Sequence, residues 1–141
     1  MRYILLLLLA VVHTESEWRE ILGQERYNVM RKKGTERAYS GKYLNEERKG
    51  IYCCAACEKP LFRSEDKYKE PYSGWPSFTQ PFESKNVYYL EDRRLTFKRY
   101  EVLCRQCGSH LGHIFKDGPP PKYFRYTINS IALIFKHENA D

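Results

Sequence analysis

A chain of 141 residues holds one domain, because a second hydrophobic core of useful size does not fit. Hydrophobic content of 42% and aromatic content of 15% supply that single core amply. The formal charge of +6 is mild and interspersed, with Glu46-Glu47-Arg48-Lys49 and Glu91-Asp92-Arg93-Arg94 both mixed in sign, so the one-sign stripe of a nucleic-acid partner is absent.

Residues 1–16 read as a signal peptide. Arg2 is a short basic start, Tyr3 to Val12 a ten-residue apolar run, and His13-Thr14-Glu15-Ser16 a polar exit with cleavage expected near Thr14 to Ser16. Ten apolar residues are too few to span a bilayer, so the expectation is an exported protein, secreted or in the periplasm or secretory pathway, with no membrane span. The domain proper is expected over 17–136, with 137–141 as a tail.

Residues 17–33 carry the one helical pattern. Trp18, Ile21, Leu22 and Val29 fall on one face, Ser16 or Thr14 is available as N-cap, Gly23 is a weak point, and Lys32-Lys33-Gly34 reads as the stop. From Tyr39 onward the chain breaks into short segments. Ile51 to Cys54, Val87 to Leu90, Leu95-Thr96-Phe97, Tyr100 to Leu103 and Ile128 to Phe135 are rich in β-branched and aromatic residues and read as strands. Pro60, Pro71, Gly74-Trp75-Pro76, Pro81 and Asp117-Gly118-Pro119-Pro120-Pro121 punctuate them. No internal repeat or low-complexity linker is visible. The class is mainly β, with a short N-terminal helical arm.

Cys54-Ala55-Ala56-Cys57 and Cys104-Arg105-Gln106-Cys107 are two C-x2-C pairs with 46 residues between them. Each can wrap a tight knuckle around one metal, and two knuckles give a closed tetrahedral four-thiolate zinc site. Gly108 suits the positive φ such a knuckle needs. Disulfide or redox chemistry is the rival reading. It is weakened because a bridge across two residues closes a small strained loop and no helix follows either pair. Cys53 adjoins Cys54 in a strand, points to the opposite face and reads as a buried, inert cysteine.

Three further segments carry chemistry: Gly74-Trp75-Pro76-Ser77-Phe78, His110-Leu111-Gly112-His113-Ile114-Phe115-Lys116-Asp117-Gly118-Pro119, and Arg125-Tyr126-Thr127-Ile128-Asn129-Ser130. With the paired C-x2-C motifs they closely resemble the B-type peptide-methionine (R)-S-oxide reductases. Glu17-Trp18-Arg19, Lys33 to Ala38 and Ser40 to Leu44 resemble that family too, so the likeness spans about residues 17–136. It implies two antiparallel β-sheets in a zinc-stapled β-tent (Mss4-like) domain, expected as a monomer, that reduces methionine-R-sulfoxide in proteins and is recycled by a thioredoxin-like reductant. Carried over, Trp75 receives the substrate's methyl group and Phe115 helps close the pocket. His110 and His113 line the sulfoxide oxygen, with His113 the proton donor; Asn129 orients substrate or water, and Arg125 sits beside the nucleophile. Cys54, Cys57, Cys104 and Cys107 bind the structural zinc.

The chemistry agrees with these roles. A sulfoxide sets a polar S–O dipole beside a small apolar methyl, and a histidine titrating near neutrality can protonate the departing oxygen. Taken singly, the histidines would read as core residues and Trp75 as a packing residue. The pattern fails at the nucleophile, where the family has cysteine or selenocysteine and this chain has Thr127. A thiol ionises and can pass to sulfenic acid, whereas a hydroxyl has no such oxidation state. Ser73 stands where many relatives carry a resolving cysteine. Two readings remain beside a zinc-ribbon interaction domain, which the pocket residues disfavour: a reductase of this family, or a redox-silent relative that binds oxidised methionine or another small polar group.

Overall fold

Tyr52, Phe62 and Phe78 meet at the centre of the molecule, Phe62 stacked on Phe78 at 4.4 Å and Tyr52 edge-on to Phe78 at 5.2 Å. They come from three strands that two antiparallel sheets bring together. The computed structural model describes residues 9–69 and 73–138; the basic start and most of the apolar run expected as a leader, Pro71, and the end of the expected tail lie outside them. Two helices come first, α1 (Glu15–Leu22) and α2 (Gln24–Met30). Eight strands follow: β1 (Gly50–Cys54), β2 (Pro60–Arg63), β3 (Ser77–Phe78), β4 (Val87–Asp92), β5 (Arg99–Cys104), β6 (His110–Phe115), β7 (Arg125–Ile128) and β8 (Leu133–His137). A three-stranded sheet runs β2-β1-β8 and a five-stranded sheet β3-β7-β6-β5-β4. No helix among the described residues is long and apolar enough to cross a membrane.

The helical arm differs from the single helix expected over 17–33. Thr14 caps α1 reciprocally, its hydroxyl accepting from the Glu17 N–H at 3.1 Å while Glu17 accepts from the Thr14 N–H at 2.8 Å. The expected domain start at residue 17 therefore falls inside α1. Gly23 at φ 79° ends α1 and opens α2, so the expected stripe is not continuous. Trp18, Leu22 and Val29 are buried, but Ile21 is 53% exposed, because α1 touches the domain only along an i, i+4 line. The second helix stops at Met30, and Lys33, not Gly34, takes the left-handed turn at φ 61°. Arg31 then stacks over the Trp18 ring at 4.6 Å and donates to the Cys107 carbonyl at 2.8 Å, tying the arm to the second knuckle. Ala10 and Val11 also dock there, both N–H groups on the Gln106 carbonyl.

In the five-stranded sheet, side chains alternate between two faces outside a bulge between β5 and β6. One transverse row consists of Tyr100, Ile114, Tyr126 and Phe78, in register across β5, β6, β7 and β3; it runs from the exposed Tyr100 to Tyr126 and Phe78 in the aromatic core. The next row, Leu90, Glu101, His113, Thr127 and Ser77, crosses all five strands on the opposite face. That second face carries the polar chemistry.

Two expected strands are corrected. Leu95-Thr96-Phe97 is the exposed turn between β4 and β5, with Leu95 47% and Phe97 57% exposed. The run from Ile128 to Phe135 is split by a 3-10 turn at Ser130–Ala132, so its two halves pair in different sheets. A repeat does exist in the backbone though not in residue identity. The hairpins β1–β2 and β5–β6 share the bonds Glu58 N–H to Cys54 C=O and Gly108 N–H to Cys104 C=O, both 2.8 Å, with a bulge beyond each knuckle.

Candidate functional site

A cavity of about 180 Å³ opens on the polar face of the five-stranded sheet. Thr35, Trp75, His113, Arg125, Thr127 and Asn129 line it, together with Ser73, Arg99, Gly112 and Phe115. Apart from His110, the residues expected around the nucleophile position thus share one hollow. Larger grooves lie along the loop at 35–43 and around Asp117, but neither contains His113 or Thr127.

The two histidines reach the same face by an irregularity. On a regular strand, residues three apart point to opposite faces. A bulge between Val102 and Leu103 of β5 and the facing residues of β6 pairs His110 with Leu103 and His113 with Glu101. Their rings then stand 5.4 Å apart, edge to face. His113 lines the cavity and places Nε2 2.8 Å from Asp92 Oδ2. Burial pushes its pKa down, while the Asp92 carboxylate acts the other way. His110 differs from the expectation: it is 1% exposed, does not line the cavity and binds Glu101 Oε2 through Nδ1 at 2.6 Å. Its Nε2 is buried without a protein partner. Burial raises the Glu101 carboxyl, but hydrogen bonds from His110 and Lys33 outweigh it and hold that group below the usual range.

Glu36 organises the opposite wall. Its carbonyl accepts from Trp75 Nε1 at 3.0 Å and its N–H donates to Asn129 Oδ1 at 2.9 Å. Its carboxylate takes the N–H groups of Ser130 at 2.9 Å and Ile131 at 3.0 Å. Asn129 Nδ2 donates to the Leu111 carbonyl at 3.0 Å, which leaves one amide N–H for the cavity. Gly112 completes the floor, where a Cβ would stand 2.0 Å from the Thr127 carbonyl oxygen.

Arg125 Nη1 donates to Thr127 Oγ1 at 2.7 Å, while its other nitrogens grip Asp117 at 2.8 and 3.1 Å and its guanidinium lies 4.6 Å over Phe115. Ser73 shares the cavity with Thr127, and its Oγ lies 3.5 Å from that of Ser77. A small polar oxygen entering this hollow meets cationic and amide donors from Arg125, His113 and Asn129, set among the Trp75 and Phe115 rings.

Beyond the polar face, the sulfurs of Cys54, Cys57, Cys104 and Cys107 lie within 4.8 Å of one another, at 3.7 Å for Cys54–Cys107 and 3.5 Å for Cys57–Cys104. Such separations are far longer than a disulfide bond of ~2.0 Å. They match the ~3.8 Å edge of a tetrahedron whose metal–sulfur bonds are ~2.3 Å. Each pair sits where a strand ends in a tight turn, with Glu58 at φ 66° and Gly108 at φ 76° in equivalent positions. The four cysteines form a site that could hold a metal ion. Cys53 is buried in β1 of the other sheet, burial pushes its thiol up, and it does not line the cavity.

A family model described as the SelR domain matches residues 22–137. The chain belongs to the MsrB family. It is 49% identical over 129 residues to the peptide methionine sulfoxide reductase MsrB of Methanosarcina barkeri, covering 92% of this chain and 90% of that protein. The MsrB proteins of Alteromonas mediterranea, 46% identical over 89% of this chain and 87% of theirs, and Agrobacterium fabrum, 43% over 87% and 90%, are similar over the same extent.

Within this MsrB domain, Asp92, Arg99, Glu101, Glu36 and Thr35 are among the site residues that sequence reasoning missed. Asp92 looked like part of a solvated mixed-charge run, yet it is 5% exposed. The available signal was the spacing that puts Asp92 at the end of β4, level with Arg99 of β5.

Proposed function

We propose that this MsrB protein receives the side chain of methionine-R-sulfoxide in proteins, with the family reduction as the reaction its cavity is shaped for. The observation that carries the reading is the shared hollow of Trp75, His113, Arg125, Thr127 and Asn129. The methyl group lies against Trp75, with Phe115 closing the pocket. The oxygen faces His113 and the free Asn129 N–H, and Arg125 holds the group at position 127. His110 acts from behind His113. Cys54, Cys57, Cys104 and Cys107 hold a structural zinc ion, which fastens the two knuckles and takes no part in the reaction.

Reduction converts the sulfoxide and two thiols into sulfide, disulfide and water: sulfur gains two electrons and oxygen leaves with two protons. Thr127 can supply neither electron. Turnover in this chain therefore takes both from an external thioredoxin-like dithiol, while His113 supplies a proton to the oxygen. Thr127 favours a second reading, recognition of oxidised methionine without turnover. Export is proposed from the Arg2 start and the Tyr3 to Val12 run.

Calorimetric titration of the native protein with peptides holding methionine-R-sulfoxide, the S epimer or methionine tests recognition. The R peptide is expected to bind at least tenfold more tightly than either other peptide. Equal affinity for all three removes the reading.

A further inference from the structure

We propose that Asp92 is the positioning residue of His113, fixing its tautomer and aiming its free nitrogen at the cavity. The inference rests on the proposed role of His113 for its meaning, but not for its first test.

The Asp92 side chain is 3% exposed, yet it is held as an anion by two arginines. Arg94 donates to Oδ1 through its backbone N–H at 3.0 Å and Nε at 2.9 Å, and to Oδ2 through Nη2 at 2.7 Å. Arg99 reaches Oδ2 at 3.2 Å from the neighbouring strand. These contacts hold the carboxyl well below the usual carboxylate range, the Arg94 side chain foremost. An ionised carboxylate only accepts hydrogen bonds. The nitrogen 2.8 Å away, His113 Nε2, must therefore carry its proton there. In the neutral ring Nδ1 is then the lone-pair nitrogen, and in the cation it holds the transferable proton. Among the described residues Nδ1 has no protein partner.

Charge alone does not require this arrangement, since one arginine would neutralise Asp92. The geometry instead spends a buried carboxylate oxygen on a histidine that lines the cavity. The other groups facing His113 are Arg99 and Glu101 of β5, His110 of its own strand, and Arg125 and Thr127 of β7. Among the described residues, only Asp92 is hydrogen-bonded to the ring.

Long-range proton–nitrogen NMR of the histidine rings in the full-length native protein reads the tautomer directly. The expected result is the Nε2–H form of His113 above its pKa; an Nδ1–H form overturns the proposal, whether or not the protein binds or reduces sulfoxide. Asp92→Asn removes the anion while keeping the shape. The His113 pKa is then expected to fall by about one unit, a tenfold loss of proton affinity, with mixed tautomers. In the Thr127→Cys background, the acid limb of the kcat/KM profile should move by the same amount, and Asp92→Glu should restore part of it. An unchanged His113 pKa and tautomer in folded Asp92→Asn protein overturns the proposal. If Asp92→Asn does not fold, the native tautomer alone decides.

Discussion

His113 and Thr127 are direct cross-strand partners on β6 and β7, on the face turned away from the aromatic core. The side chain offered as proton donor and the position of the family's nucleophile are thus neighbours by sheet register, with Arg125 Nη1 2.7 Å from Thr127 Oγ1. A thiol placed there inherits that cation. Alkylation of the Thr127→Cys variant with iodoacetamide across pH should reveal a thiol with a pKa below the ordinary ~8.5. In the native protein with its metal bound, Cys53 should stay unreactive because it is buried. If the thiol introduced at position 127 titrates at or above ~8.5, Arg125 does not act on this position.

The cysteine cluster predicts one zinc ion per chain. Removing it with a strong chelator, or substituting Cys107→Ser, should abolish the cooperative thermal transition or lower Tm by tens of degrees. Most of the folding free energy of small metal-stapled domains comes from the ion. Metal analysis with calorimetry checks this; an unchanged Tm after complete metal removal contradicts it.

Acid should destabilise the fold in two steps. Burial lowers the folded-state pKa of His113 below the ordinary ~6.5, so the unfolded chain binds more protons and stability falls as pH drops below that value. The Asp92 carboxyl is also depressed, so its contribution is complete above the ordinary ~4 and is lost progressively below it. Urea midpoints from pH 8 to pH 3 should show a plateau, a shallow decline below about 6.5 and a steeper one below about 4. A midpoint that rises between pH 7 and pH 5 would contradict the sign of the His113 effect.

Gly112 leaves no room for a side chain, since a Cβ would stand 2.0 Å from the Thr127 carbonyl oxygen and 2.9 Å from Ile128 Cα. Gly112→Ala should cost about 1–3 kcal/mol or more through forced separation of β6 and β7. Glu36→Ala should cost about 1–3 kcal/mol by stranding the Ser130 and Ile131 N–H groups. Denaturant unfolding measures both, and wild-type midpoints for either variant would refute these contacts.

How much of this was legible in the sequence depends on the range of each interaction. The C-x2-C pairs could be read because each knuckle is local, and the cavity motifs because each is a short contiguous segment. The Asp92–His113 and Glu36–Asn129 contacts were not legible, since they join residues 21 and 93 apart that only the tertiary fold brings together. That His110 and His113 share a face was hidden for another reason: it depends on a bulge that no residue type announces. The helix break at Gly23 was visible as a weak point; there the backbone takes φ 79°, open to glycine without strain, and the arm becomes two helices.

The most direct test is single-turnover reduction of a methionine-R-sulfoxide peptide by the native protein and its Thr127→Cys variant, each with a dithiol in excess. Stoichiometric, R-specific reduction by the variant is expected, at a rate at least about a hundredfold above the native protein, on the order of the loss when a catalytic group is absent. If the variant folds, binds zinc and still reduces nothing, the cavity around His113 and Thr127 is not a sulfoxide site and the central claim fails.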